Sequence, residues 1–80
     1  MILDILKEEF LAKDAKEIII QIIHSTIKYH EHKIIANLDD DEDLILRESK
    51  IIELHKYLYE TQEYINKSTQ PISLRAQVIL

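Results

Sequence analysis

Hydrophobic residues in the first half of the chain recur at helical spacing. The main series alternates steps of three and four, which places its members on one face of a helix: Ile20, Ile23, Ile27, His30 and Ile34. This pattern predicts a long helix over about residues 14–37. Asp14 and Glu17 have the spacing of a capping box, so Asp14 either restarts the helix after a kink or lies within one nearly continuous helix.

A second series with the same spacing follows in the other half of the chain: Leu44, Ile51, Leu54, Leu58 and Ile65. It predicts a helix over about residues 42–67, with Arg47 and Thr61 in the remaining positions of the seam. The acidic run 38–43 separates the two patterns, and its carboxylates suit the capped, positive end of the second helix. A short connection between helices of matched length predicts an antiparallel helical hairpin.

The N-terminal residues have spacing that also suits a helix. Asp4 can cap a short first helix, with Leu6, Phe10 and Leu11 on its inner face. We therefore expect a short N-terminal helix or extension, and a fold that is all-α. Eighty residues correspond to a single helical domain, 1–80.

The segment 72–80 is compatible with two structures. Apolar and polar residues alternate through most of it, which is typical of a strand. A short third helix with Pro71 in its first turn fits the same residues equally well. Because no other segment offers a convincing partner edge, we expect that a strand here would pair with another chain.

Both long helices carry more apolar surface than one hairpin covers. The residues outside the seam that we assign to an interface are Ile18, Ile19, Ile22, Tyr29, Ile52, Tyr57, Tyr59 and Tyr64. A helix that is apolar around most of its circumference is buried from several directions, and tyrosine is enriched in interfaces. The sequence therefore predicts a homodimer, with two hairpins joined in a four-helix bundle.

Composition narrows the classes of protein that remain. The chain is 46% hydrophobic, which is too apolar for disorder, and has neither cysteine nor glycine. Glycine-rich phosphate-binding loops are thereby excluded. The chain has no apolar run of membrane-spanning length, and acidic residues stand near the start, where a signal peptide needs a basic region. We expect a cytoplasmic protein without a membrane partner.

The polar residues do not form a recognisable catalytic or metal-binding pattern. His30 and His32 are two apart and point in different directions on a helix, whereas two helical ligands need a spacing of three or four. The acidic run has Leu44 where a calcium loop needs glycine and Lys50 where it needs glutamate. Ser25 adjoins His24 in sequence but does not face it on a helix. We expect no enzyme, no metal site and no cofactor.

A non-catalytic module for protein–protein interaction is the function that fits these observations: a regulator, adaptor or inhibitor of an unidentified protein. The alternative is a nucleic-acid-binding bundle that uses Lys28, Lys33 and nearby Lys residues, although a net charge of −5 opposes phosphate contacts. A structural part of a phage or plasmid assembly is a further alternative.

Overall fold

The computed structural model describes all 80 residues. It contains two strands and two helices in the order β1 (Ile2–Phe10), α1 (Ala12–Ala36), α2 (Asp41–Asn66) and β2 (Ile72–Ile79). The fold is therefore α+β, with a two-stranded antiparallel sheet beside a helical hairpin. The all-α prediction is wrong because both ends of the described chain are strands that pair with each other.

The two helices form the antiparallel hairpin, and their bounds lie within two residues of those expected. Both seam series lie between the helices, where Ile23, Ile27 and Ile65 are buried. Asp40 caps α2, because its side chain accepts a hydrogen bond from the Asp43 backbone N–H at 3.0 Å. The acidic run is thus the helix-capping turn that its composition indicates.

The predicted N-terminal helix is wrong, because residues 2–10 form β1. Leu6 and Phe10 are four residues apart, and this spacing places side chains on one face of a strand as well as of a helix. A β-bulge between Asp4 and Leu6 adds a residue. It gives Leu3 and Leu6 a spacing of three, which imitates a helical step. Helix and strand spacings are therefore indistinguishable here.

The segment 72–79 is a strand, and it pairs within the chain. Ile2 lies opposite Ile79, and Phe10 lies opposite Ile72. The expectation that such a strand would need another chain is wrong because β1 supplies the missing edge. Residues that lie directly opposite one another share a face of the sheet, and the two faces differ in character.

One side, which we call the apolar sheet face, carries the residues Leu3, Leu6, Phe10, Ile72, Leu74, Ala76 and Val78. Most of them are half-buried, and Glu8, opposite Leu74, is the charged exception. The other side carries mainly charged and amide side chains. Because α1 makes the helix contacts with both strands, the sheet joins the hairpin through that helix.

Candidate interaction surfaces

Arg47 is the polar centre of the hairpin seam near its turn. Its Nε donates to both carboxylate oxygens of Asp43, at 3.0 and 2.9 Å, and its Nη1 lies 3.1 Å from Nδ1 of His30. The guanidinium lies 5.6 Å from the centre of the Tyr29 ring, and Lys33 approaches the same ring at 5.8 Å. These contacts fix Tyr29 beside a group of cations.

The charge of Arg47 determines how His30 takes part in this cluster. The hydrogen bond to Asp43 raises the pKa of Arg47 above its ordinary value, so the guanidinium stays charged and acts only as a donor. The contact between Nη1 and Nδ1 is therefore a hydrogen bond only when Nδ1 of His30 is the acceptor. His30 is therefore a structural link between the helices and does not present Nδ1 to a ligand.

The basic residues near Tyr29, which include Lys28 and Lys33 of the nucleic-acid alternative, lie on different sides of α1. His30 turns into the seam, and Lys33 lies over Tyr29. Lys28 and His32 line a separate depression together with Glu31. The structure does not bring these cations onto one surface.

One broad side of the hairpin collects most of its exposed tyrosines, and we call it the tyrosine face. Tyr29 lies beside Leu46 and Arg47 in one depression. At 3.6 residues per turn, the following residues lie on this side of their helices: Ile22 and Tyr29 on α1, and Leu46, Tyr57 and Tyr64 on α2. All five are exposed. The face thus joins four of the residues assigned to an interface from sequence.

The opposite side of the hairpin carries a smaller apolar group, the isoleucine face, made by Ile35, Ile45, Ile52 and Tyr59. Ile45, Ile52 and Tyr59 are separated by seven residues each, so they line one stripe of α2. The structure thereby separates Ile52 and Tyr59 from the tyrosine face. Ile18 and Ile19 lie in the first half of α1 and are half-buried.

Tyr57 is held in place on its own helix. Its hydroxyl donates to Oε1 of Glu53 at 2.8 Å, and Lys50 lies 3.4 Å from the other oxygen of the same carboxylate. The hydrogen bond from Tyr57, assisted by Lys50, lowers the pKa of Glu53. The same contact raises the pKa of Tyr57. A fixed ring costs less conformational entropy when it contacts a partner.

The polar side of the sheet is a surface that the sequence pattern did not reveal. Lys7 lies directly opposite Arg75 on that side, and Asp4 lies opposite Gln77, whose amide donates to it at 2.8 Å. The alternation of residues 72–79 indicated a strand but left a short helix open as an alternative, and the structure decides for β2. The partner strand β1 was not recognisable from the sequence, because its bulge interrupts the alternation of apolar and polar residues.

The chain buries little of its own surface. Only four of its 80 residues are buried. The radius of gyration is 15.2 Å, whereas a compact domain of 80 residues has about 11.6 Å. The accessible surface is 6411 Å², whereas a globular monomer of 9.5 kDa exposes about 5,000 Å². The excess of about 1,400 Å² corresponds in size to an uncovered interface.

No protein-family model matches the chain, and no curated protein or solved structure matches it significantly. Neither helix is long and apolar enough to cross a membrane. No group of three or more histidine and carboxylate side chains is arranged to hold a metal ion. The apolar faces are the surfaces on which a functional proposal rests.

Proposed function

We propose that the protein is a non-catalytic module for protein–protein interaction, which regulates, adapts or inhibits another protein in the cytoplasm and works as a homodimer. The observation that carries this proposal is the uncovered apolar surface. A domain is normally stabilised by layers that bury one another's apolar sides. Here a large part of that burial is left to other chains.

The area of uncovered surface supports two contacts, one with a second copy of the chain and one with a target protein. Standard complexes bury about 800 Å² on each partner, and obligate homodimers about 1,000–2,500 Å². The excess of about 1,400 Å² on this chain exceeds a standard share. It is therefore large enough for a dimer contact together with part of a contact to a target protein.

The tyrosine face is the surface that we assign to the target protein. Tyrosine provides a large apolar area with a polar tip, and truncating such residues commonly removes much of the binding energy of an interface. Tyr57 is already held by Glu53, and Tyr29 by Arg47 and Lys33. Ile22 adds an aliphatic contact on the neighbouring helix. The combination of ordered aromatic rings and nearby charges is typical of a recognition surface.

The dimer is tested by sedimentation equilibrium of the full chain at micromolar concentration. We expect a mass of about twice the 9.5 kDa of one chain. A mass of one chain across the whole concentration range would refute the homodimer, because the apolar surface would then remain exposed to solvent.

The target surface is tested with matched baits that differ by one charge. Ile22→Glu places a carboxylate on the tyrosine face, whereas Gln21→Glu places one on exposed surface about 100° around the same helix. We expect proteins captured from the native lysate by the unmodified chain to be retained by Gln21→Glu and lost by Ile22→Glu. Equal capture by the three baits would assign the captured proteins to another surface.

A further inference from the structure

The two edges of the sheet differ in how well they are protected. Edge strands of natural proteins avoid unwanted pairing through bulges and charged side chains. β1 has both, because it bulges between Asp4 and Leu6 and carries three consecutive charged residues, 7–9. β2 is an unbroken ladder with Arg75 as its one charged residue. The outer edge of β2 is therefore open to another strand.

The backbone groups that face this edge follow from the ladder itself. Met1 and Leu80 exchange both backbone hydrogen bonds, at 2.9 and 2.7 Å, so Leu80 is turned toward β1. In an antiparallel ladder the direction alternates from one residue to the next. The residues whose N–H and C=O groups point away from β1 are therefore Ser73, Arg75, Gln77 and Ile79.

We propose that the β2 edge pairs antiparallel with the β2 edge of a second copy, with Ala76 on the two-fold axis. The two copies then form a continuous four-stranded sheet. In this register Leu74 faces Val78 of the second copy, and Arg75 faces Gln77 of the second copy. Ala76 meets its own equivalent in a pair that is not hydrogen-bonded, where the side chains approach most closely and a small residue fits.

Two other registers of the same edge pairing have specific faults. Centring the two-fold axis on Arg75 would place two arginines directly opposite each other, which is destabilising. Centring it on Leu74 would put Pro71 in a hydrogen-bonded pair, and proline has no N–H to donate. The register centred on Ala76 avoids both faults.

The same register brings carboxylates near two cations that have no ion pair within their own chain. Lys7 and Arg75 lie opposite each other, and neither takes part in an ion pair within the chain. In the paired sheet, Arg75 lies in one row with Gln77 and Asp4 of the second copy, whose side chains are already joined. Asp4 of each copy thereby lies in the same row of side chains as Lys7 and Arg75 of the other copy.

This inference rests on the proposed homodimer and identifies its joint, by which we mean the contact between the β2 edges of the two copies. A two-fold axis perpendicular to the sheet keeps both apolar sheet faces on the same side, so they form one wider apolar surface. The contact is isologous and closes after two copies. The tyrosine face is not required for the joint and stays available to the target protein.

A single cysteine tests the joint, because the chain has none of its own. In the paired sheet, the Cα atoms of Ala76 and its equivalent are about 4.5 Å apart, which is within the range for a disulfide. Ser73 of the second copy lies opposite Ile79, which is six residues along β2 from Ser73. The two Ser73 residues are therefore about 20 Å apart. Under mild oxidation of the full chain, we expect Ala76→Cys to form a covalent dimer at least tenfold faster than Ser73→Cys.

A second pair of variants tests the edge without changing the β1–β2 ladder. Arg75→Pro removes an outward-pointing N–H, which proline tolerates on an edge strand, and Arg75→Ala keeps it. Arg75→Ala removes the charge and keeps the N–H, so by sedimentation we expect Arg75→Pro to weaken the dimer at least tenfold more than Arg75→Ala does. Far-UV circular dichroism of each variant verifies that the chain is folded.

The outcomes separate this inference from the function on which it rests. If the unmodified chain is a dimer but Ala76→Cys crosslinks no faster than Ser73→Cys, the β2 joint is wrong and the homodimer stands. If Arg75→Pro is folded and dimerises as well as Arg75→Ala, the joint is also wrong. A monomeric unmodified chain overturns both proposals.

Discussion

Ile27 offers the most direct test of the hairpin seam. Its side chain is 5% exposed, and replacing it with alanine removes three carbon atoms from a packed position. At about 0.8 kcal/mol per buried carbon, the transfer contribution is about 2.4 kcal/mol. The cavity that remains raises the expected loss to about 3 kcal/mol. A chain of 80 residues has a free energy of unfolding of about 4–12 kcal/mol, so this loss is a large fraction.

The matched control is Ile35→Ala, in the same helix and on a side chain that is 69% exposed. Both substitutions change helix propensity alike, so the difference between them reports burial. Urea unfolding, followed by the helical circular dichroism signal at one fixed protein concentration, measures both. We expect Ile35→Ala to change stability by less than about 0.5 kcal/mol. A loss below about 1 kcal/mol for Ile27→Ala would refute close packing of the seam.

Three further predictions concern the cap of α2, the contact between Tyr57 and Glu53, and the bulge of β1. Asp40→Ala removes the cap on the Asp43 N–H and should cost about 1 kcal/mol in urea unfolding, whereas Asp40→Asn should retain most of it. Tyr57→Phe removes the hydrogen bond to Glu53, so NMR titration should show the pKa of that carboxyl rising toward its ordinary value. Because the pKa of Glu53 is lowered in the folded chain, its contribution to stability is present above the ordinary pKa and is lost as the pH falls through the folded pKa. The pKa of Tyr57 is raised in the folded chain, so its contribution is lost as the pH rises through the folded pKa. Deletion of Ile5 should remove the bulge and keep the helical signal, but it should increase aggregation measured by light scattering, because the β1 edge loses protection; unchanged scattering would contradict that role of the bulge.

The sequence determined the hairpin well because two long periodic patterns agree over many turns. The seam positions, including the polar residue Arg47, are all at least half-buried. The acidic turn was also recognisable, since a carboxylate before a helix has few other common structural roles. Long elements with many repeats leave little room for a second interpretation.

The strands were harder to predict for specific reasons. A spacing of four, as between Leu6 and Phe10, is common to helix and strand. The bulge between Asp4 and Leu6 removed the alternation that would have decided between them. The tyrosine face was partly predictable, because heptad spacing relates Ile22 to Tyr29 and Tyr57 to Tyr64. Which helix sides come together depends on the packing of the hairpin, and a single helical pattern does not contain that information.

The pairing of the two strands has a consequence for the order in which the chain folds. In an unfolded chain, bringing Phe10 to Ile72 closes a loop of residues 11–71, an entropic cost that grows with loop length. Once the hairpin has formed, only Leu11 and residues 67–71 remain between the helices and the strands. Closing this shorter connection costs about 2 kcal/mol less. We therefore expect the helical hairpin to form before the sheet, because the formed hairpin lowers the entropic cost of pairing β1 with β2.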